Sequence, residues 1–270
     1  MGGVWSLMRN NKNNQAYGLS LLFHPAARPV VEAIRELASE GGAFSVSHDP
    51  SLRNAEADQP YAEMPATEEV IWLELLADGL TFDLTGLGPA APAQIAECVY
   101  RFDLPDDLDI SELEAVCLTP GPHLAGGERL TPVVRAMVGL AAELCSLDAL
   151  VAVAWHPARS CIGPRYFTSI VNNWLEGGVF PGLGLVGLAD AVDGGMQSEG
   201  VAFFTGQELR IERELAEDRA AAAKIAVRLI DFLVEHGPFE DKAEVPGPDG
   251  RMLRIEPSAN GRFVRVWNAG

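Results

Sequence analysis

Two segments of the chain, Leu19-Ser-Leu-Leu-Phe23 running into His24-Pro25-Ala26 and Leu150-Val-Ala-Val-Ala-Trp155 running into His156-Pro157-Ala158, decide how it is read. Each begins as a short, nearly continuous apolar run, the pattern of a strand covered on both faces. Proline then biases the preceding His away from helical angles and ends the strand. Pro29 and Pro164 suit a first helical turn, where no amide donor is needed. Val30, Val31, Ile34, Leu37 and Ala38 recur at helical spacing, as do Tyr166, Phe167, Ile170, Val171, Trp174 and Leu175. Both runs end at a glycine pair, Gly41-Gly42 and Gly177-Gly178, which supplies left-handed angles after a helix.

A third echo follows in the same order: Asp78-Gly79-Leu-Thr-Phe82 with Thr85-Gly86, against Glu199-Gly200-Val-Ala-Phe203 with Thr205-Gly206. Three matches in one order predict an internal duplication. Downstream of the second copy, an apolar run at 183–188, a strand near 200–204, a helix over about 212–236 and a hairpin (252–255 with 262–267) complete a β-α-β-β-α-β order, the ferredoxin-like arrangement. The first half adds strands at 69–76 and 80–84 and a helix opened by Thr131-Pro132. The predicted fold is therefore α+β: two tandem ferredoxin-like repeats, with antiparallel or mixed sheets and helices on one face. Its parts are a tail at 1–17, a first repeat at 18–147 with a polar loop at 49–68 and an acidic insertion at 88–125, and a second repeat at 148–270 ending in the hairpin.

Composition narrows the function. Twenty Lys and Arg stand against 38 Asp and Glu, for a net charge of −18, which repels phosphate backbones and anionic lipid. Nucleic acid and membrane surface are poor partners. The acidity concentrates in the insertion, at Glu97, Asp103, Asp106, Asp107, Asp109, Glu112 and Glu114, while the last twenty residues lean basic through Arg251, Arg254, Arg262 and Arg265. Cys98, Cys117, Cys145 and Cys161 form no C-x-x-C and have no His at zinc-ligand spacing. Reduced thiols, no signal-like apolar core at the start and no membrane-length apolar run together predict a soluble cytoplasmic protein. No metal and no cofactor are expected.

His24 and His156 are the first candidates for chemistry, because each stands where a strand passes toward a helix. Together with Trp155 and Arg159 they form the candidate ligand set. Two readings stay open for the pair: a shared site where the repeats meet, or imidazoles that fix two structural corners. Arg159, Ser160 and Arg165 precede a helix start that favours an anion. Cys161 beside His156 lacks a nucleophile-elbow context, and Gly182-x-Gly184-x-x-Gly187 follows a helix instead of opening one, so neither nucleophilic catalysis nor nucleotide binding is expected.

Trp155-x-Pro157 ending an apolar strand, Gly177-Gly178-x-x-Pro181 after a helix, Gly200-x-x-x-Phe204 and Gly206-x-Glu208-Leu209-x-Ile211 resemble a bacterial family known as domain of unknown function 4261. The resemblance extends over about residues 150–267. It implies a bacterial source and transfers no catalytic residue. The expected function is non-catalytic: binding a protein partner or a second copy of the chain. The alternative is a small-molecule binder or enzyme with a cleft between the repeats, using His24 and His156.

Overall fold

A computed structural model describes residues 16–50 and 71–269. Most of the expected tail and of the polar loop at 49–68 lies outside the described residues. The strands are β1 (Leu19–Phe23), β2 (Ser45–His48), β3 (Trp72–Ala77), β4 (Leu80–Thr85), β5 (Tyr100–Phe102), β6 (Glu114–Pro120), β7 (Leu150–Trp155), β8 (Ser160–Ile162), β9 (Gly187–Asp190), β10 (Met196–Glu199), β11 (Glu208–Ile211), β12 (Ala243–Pro246), β13 (Met252–Pro257) and β14 (Phe263–Asn268). Among the described residues the helices include α1 (Val31–Gly41), α2 (Thr131–Leu144), α3 (Pro164–Leu175), α4 (Val201–Thr205), α5 (Arg213–Ala216) and α6 (Arg219–His236). This is a mixed α+β protein with two sheets.

An eight-stranded sheet runs β2-β3-β4-β6-β1-β7-β8-β5, and a six-stranded sheet runs β12-β13-β14-β11-β10-β9. β1 pairs antiparallel with β6 on one side and β7 on the other. Its continuous apolar sequence follows from that central position. Leu19, Leu21 and Phe23 face a core shared with α1, α2 and α3, while Leu22 faces the opposite side. On that opposite side the acidic insertion supplies the cover. Ala93, Ile95, Cys98, Leu104, Leu108 and Ile110 pack there against Leu22, Ala115, Ala152 and Ala154. The carboxylates of the insertion thus decorate a segment whose apolar positions close the second face of the sheet.

The tandem ferredoxin-like arrangement expected from the duplicated segments does not match these strand orders. In a ferredoxin-like unit each helix joins strands with one strand between them. β6-α2-β7 has that form, with β1 between its strands, but α1 joins β1 to β2 across three intervening strands. β7 and β8, from the second half of the sequence, belong to the first sheet. The six-stranded sheet has one parallel junction, β11 with β14, and is otherwise antiparallel.

The third echo takes two different structures. Asp78-Gly79, with φ of 51° and 77°, turns β3 into β4. Its counterpart after Gly200 is a helical turn, α4, where a strand was expected. Glu208 decides this: its carboxylate accepts from the N–H groups of Gly200, Val201 and Ala202 at 2.9, 3.2 and 3.1 Å. Those are donors that a helix start leaves free. The helix expected over 212–236 is divided into α5 and α6, because Asp218 caps a new start by accepting from Ala220 and Ala221. The terminal hairpin forms as expected, with Gly261 at φ 68° in its turn.

The two sheets meet through aromatic packing. Trp155 is fully buried, its ring 5.5 Å from that of Phe203, and its indole N–H donates to Leu185 O at 3.0 Å. Tyr100, on the insertion strand β5, lies so closely over Gly187 that a Cβ there would sit 2.3 Å from its ring. Gly187 and Gly184, where a Cβ would meet Ile170 at 2.7 Å, are packing glycines. Their resemblance to a phosphate loop is one of spacing alone.

Candidate functional site

The antiparallel register of β1 and β7 separates the two imidazoles. Leu19 faces Trp155 and Phe23 faces Leu150, so His24 and His156 lie at opposite ends of the pair. At about 3.4 Å per residue the strands hold them roughly 15–20 Å apart. No shared pocket is built from both. His156 is half-buried, and its Nε2 is 2.9 Å from the hydroxyl of the fully buried Ser20 on β1. His24 is exposed and borders a shallow cleft with Pro105, Asp107 and Glu112 of the insertion. Trp155, a third candidate, is core.

Arg159 is the one candidate that opens on a cleft of about 660 Å³ beside the outer face of β9, β10 and β11. It sits just past the corner in a left-handed conformation, φ 49°. That turn aims its guanidinium at two carboxylates. Nε and Nη2 donate to Glu199 at 2.5 and 2.8 Å, and Nη1 donates to Glu97 at 2.9 Å. The Tyr100 hydroxyl donates to Glu199 at 2.9 Å. Burial and the neighbouring Glu199 carboxylate push the Tyr100 phenol up to about 12, and hydrogen bonding from Arg159 holds Glu199 below the usual carboxylate range. Near neutral pH the phenol keeps its proton and the Glu199 carboxylate keeps its charge. The arginine expected to receive an anion is occupied by two anions of its own chain.

The rest of the cleft is also internally matched. Arg210 pairs with Asp193 and lies 3.5 Å from Glu212, and Arg219 reaches Asp190 at 3.2 Å. Ser160 is buried and donates to Gly184 O, so it is no nucleophile beside His156. Among the described residues no group of three or more His, Cys, Asp or Glu is placed to hold a metal ion, and no helix is long and apolar enough to cross a membrane.

Continuing past the cleft, the outer face of the six-stranded sheet presents Gln197, Arg210, Phe263, Arg265, Trp267, Arg254 and Met252. The alternate positions Leu209, Ile211, Leu253, Ile255, Val264 and Val266 face the core with α5 and α6. Arg254 and Arg265 each lie over the Trp267 ring, at 5.0 and 4.9 Å from its centre. Cross-strand register explains this, since Arg254 is directly opposite Trp267 on the paired strands β13 and β14. The sequence marked this segment only as a basic hairpin; its alternation of aromatic and arginine residues was the available sign of an outward face.

A second cluster lies on β3 and β4, where Asp83 faces Glu74 across the pair. One carboxylate oxygen of Asp83 is buried with no hydrogen-bond partner among the described residues, and burial first, then the Glu74 charge, raises its pKa to about 6. Alternation along a short strand gave no hint that this acidic position is enclosed.

Fold and site together define a mixed α+β protein with an open, ion-paired cleft and an arginine- and aromatic-bearing sheet face. No family model, curated protein or solved structure matches the chain.

Proposed function

We propose that the protein is a non-catalytic binding protein that engages a protein partner through the outer face of its six-stranded sheet, and that this partner is a second copy of the chain. The observation that carries the reading is Trp267, with the guanidiniums of Arg254 and Arg265 each about 5 Å from its ring centre, on the sheet face opposite α5 and α6. Tryptophan and arginine are the residue types most enriched among those that dominate interface energies, and a pre-ordered ring loses little freedom on binding. The charge distribution supports a like partner. Asp106, Asp107, Asp109 and Glu112 of the insertion are exposed, and among the described residues none forms an ion pair with the hairpin arginines. Two copies related by a two-fold axis would set these carboxylates against the hairpin arginines, which within the chain pair with Asp249, Glu256 and Glu212, and would close the assembly. The resemblance of the C-terminal half to domain of unknown function 4261 and a cytoplasmic location are part of this proposal, and neither supplies a catalytic residue.

The test is sedimentation velocity over a range of protein concentrations at low and high salt. A dimer at low salt that dissociates as salt rises is expected, because exposed charges are screened beyond about 10 Å at 0.1 M. Trp267→Ala is expected to weaken it by about tenfold or more. A monomer at every concentration and salt level overturns the self-association, and unchanged association in Trp267→Ala moves the interface elsewhere.

A further inference from the structure

We propose that Cys98 and Cys161 form a redox-active dithiol, in which Cys98 is oxidised by a small uncharged hydroperoxide and Cys161 resolves it to a disulfide. The site lies away from Trp267 and the hairpin arginines, although its opening shares Asp107 and Asp109 with the acidic surface of the proposed dimer. It is built where the insertion joins the eight-stranded sheet. β5 runs parallel to β8, and at the start of β5 the N–H groups of both Val99 and Tyr100 donate to Arg159 O, at 2.7 and 3.1 Å. Cys98 immediately precedes that doubled contact. There it packs in the small apolar cluster that contains Cys161. Both thiols are free, and the Cys98 Sγ–H donates to Ala96 O at 3.6 Å.

The two sulfurs are not equivalent. Cys161 is fully enclosed, whereas Cys98 is half-exposed and lines a cleft of about 670 Å³ together with Arg101, Asp107 and Asp109. The neighbouring Cys161 thiol, helped by the Arg101 charge, lowers the Cys98 pKa against the burial that raises it, while the interaction with Cys98 and then burial raise Cys161. An accessible thiolate-prone cysteine next to a buried resolving one is the arrangement that oxidation selects. Glu97, Asp107 and Asp109 around the opening disfavour an anionic disulfide reagent, which leaves a small neutral peroxide as the oxidant.

The chemistry balances. The Cys98 thiolate attacks one peroxide oxygen, the O–O bond breaks, and the departing alkoxide takes a proton to leave as an alcohol, or as water from hydrogen peroxide. Sulfur has lost two electrons and Cys98 is a sulfenic acid. Cys161 Sγ then attacks Cys98 Sγ, the S–S bond forms, the S–O bond breaks, and the hydroxyl leaves as water with the Cys161 proton. One peroxide is reduced and two thiols become one disulfide. The product fastens the insertion to β8 beside Arg159. The remaining cysteines offer a contrast: Cys117 is buried in β6, and burial pushes the Cys145 thiol up to about 11.

The experiment treats the reduced full-length protein with hydrogen peroxide, blocks remaining thiols with N-ethylmaleimide and maps the peptides by mass spectrometry. The expected result is a Cys98–Cys161 linked peptide, with Cys117 and Cys145 carrying the blocking group. In Cys161→Ser, dimedone is expected to label Cys98 selectively. Before oxidation, iodoacetamide at neutral pH is expected to alkylate Cys98 at least about tenfold faster than the other three. Absence of the linked peptide under conditions that oxidise free glutathione overturns the proposal, and so does equal labelling of all four cysteines. The wild-type mapping stands alone if a variant fails to fold.

Discussion

The two His-Pro-Ala corners have nearly the same sequence and opposite fates. In the first, His24 is exposed and Ala26 takes the left-handed conformation, φ 62°. In the second, His156 is anchored to Ser20, Ala158 is fully buried, and Arg159 is the left-handed residue, committed to Glu97 and Glu199. Both backbones close the same kind of turn, Ala27 N–H to His24 O at 3.0 Å and Arg159 N–H to His156 O at 3.1 Å. What the short sequence encodes is the turn itself. What surrounds it decides whether the histidine holds anything, because β7 brings its corner back beside the start of β1 while the corner of β1 emerges at the far end. Local sequence alike at the two corners therefore says little about a site.

The largest effect expected from pressing on this difference is at the glycine packed under the second corner. Gly200 has φ 104°, and a Cβ there would lie 2.7 Å from the Cβ of Ala158. Gly200→Ala combines backbone strain with overpacking and is expected to destabilise by about 2–4 kcal/mol. Its counterpart in the third echo, Gly79, has φ 77° and open space around the added atom. Gly79→Ala is expected to cost about 1–2 kcal/mol, from the backbone alone. Urea denaturation of both variants measures the gap. Equal losses would mean that the Gly200–Ala158 contact adds nothing beyond the left-handed angle.

Next comes the imidazole pair itself. His156→Ala leaves the buried Ser20 hydroxyl without that partner and is expected to cost about 1–2 kcal/mol. His24→Ala, at an exposed position, is expected to change stability by less than about 0.5 kcal/mol. A double-mutant cycle with Ser20→Ala locates the difference: the cost of His156→Ala should fall once the hydroxyl is gone. If His24→Ala proves as damaging as His156→Ala, the two corners are equivalent in energy despite their burial.

What was legible follows the same line between local and non-local causes. The apolar runs of β1 and β7, the stripes of α1, α2 and α3 and the terminal hairpin were written in periodicity, which needs no partner to be seen. β2, β5, β8 and β12 are three- or four-residue strands held by their neighbours, and α4 exists because Glu208 reaches its N–H groups from the following strand. The split α5–α6 boundary was present in the sequence as Asp218, a capping residue inside an otherwise periodic stretch. Of the candidate site, Arg159 was readable as a charged residue at a strand end. Its partners Glu97, Tyr100 and Glu199 were not, because each comes from a distant segment, and neither was the meeting of Cys98 with Cys161. The acidic insertion was legible as charge and not as cover, since its apolar positions follow no regular period.

The smallest expected effect distinguishes the two forms of the third echo. The strand form carries Asp83, whose enclosed carboxyl has a pKa of about 6 against an ordinary 3.8. The helical form has Phe203 and Phe204 in the corresponding stretch. A folded-state pKa above the unfolded value means that the fold favours the protonated acid. The stabilisation is therefore complete below about pH 4 and is lost as pH rises through 6. Asp83→Asn removes this dependence. At pH 7 the variant is expected to be more stable than the parent by about 1 kcal/mol, less than the full shift implies because the carboxyl is only partly removed from water. Near pH 4 the two should coincide. Paired urea titrations at pH 4, 5, 6 and 7 give the comparison directly. A parent stability flat across that range would show that Asp83 ionises without penalty, and the enclosed oxygen would then have to be reached by water.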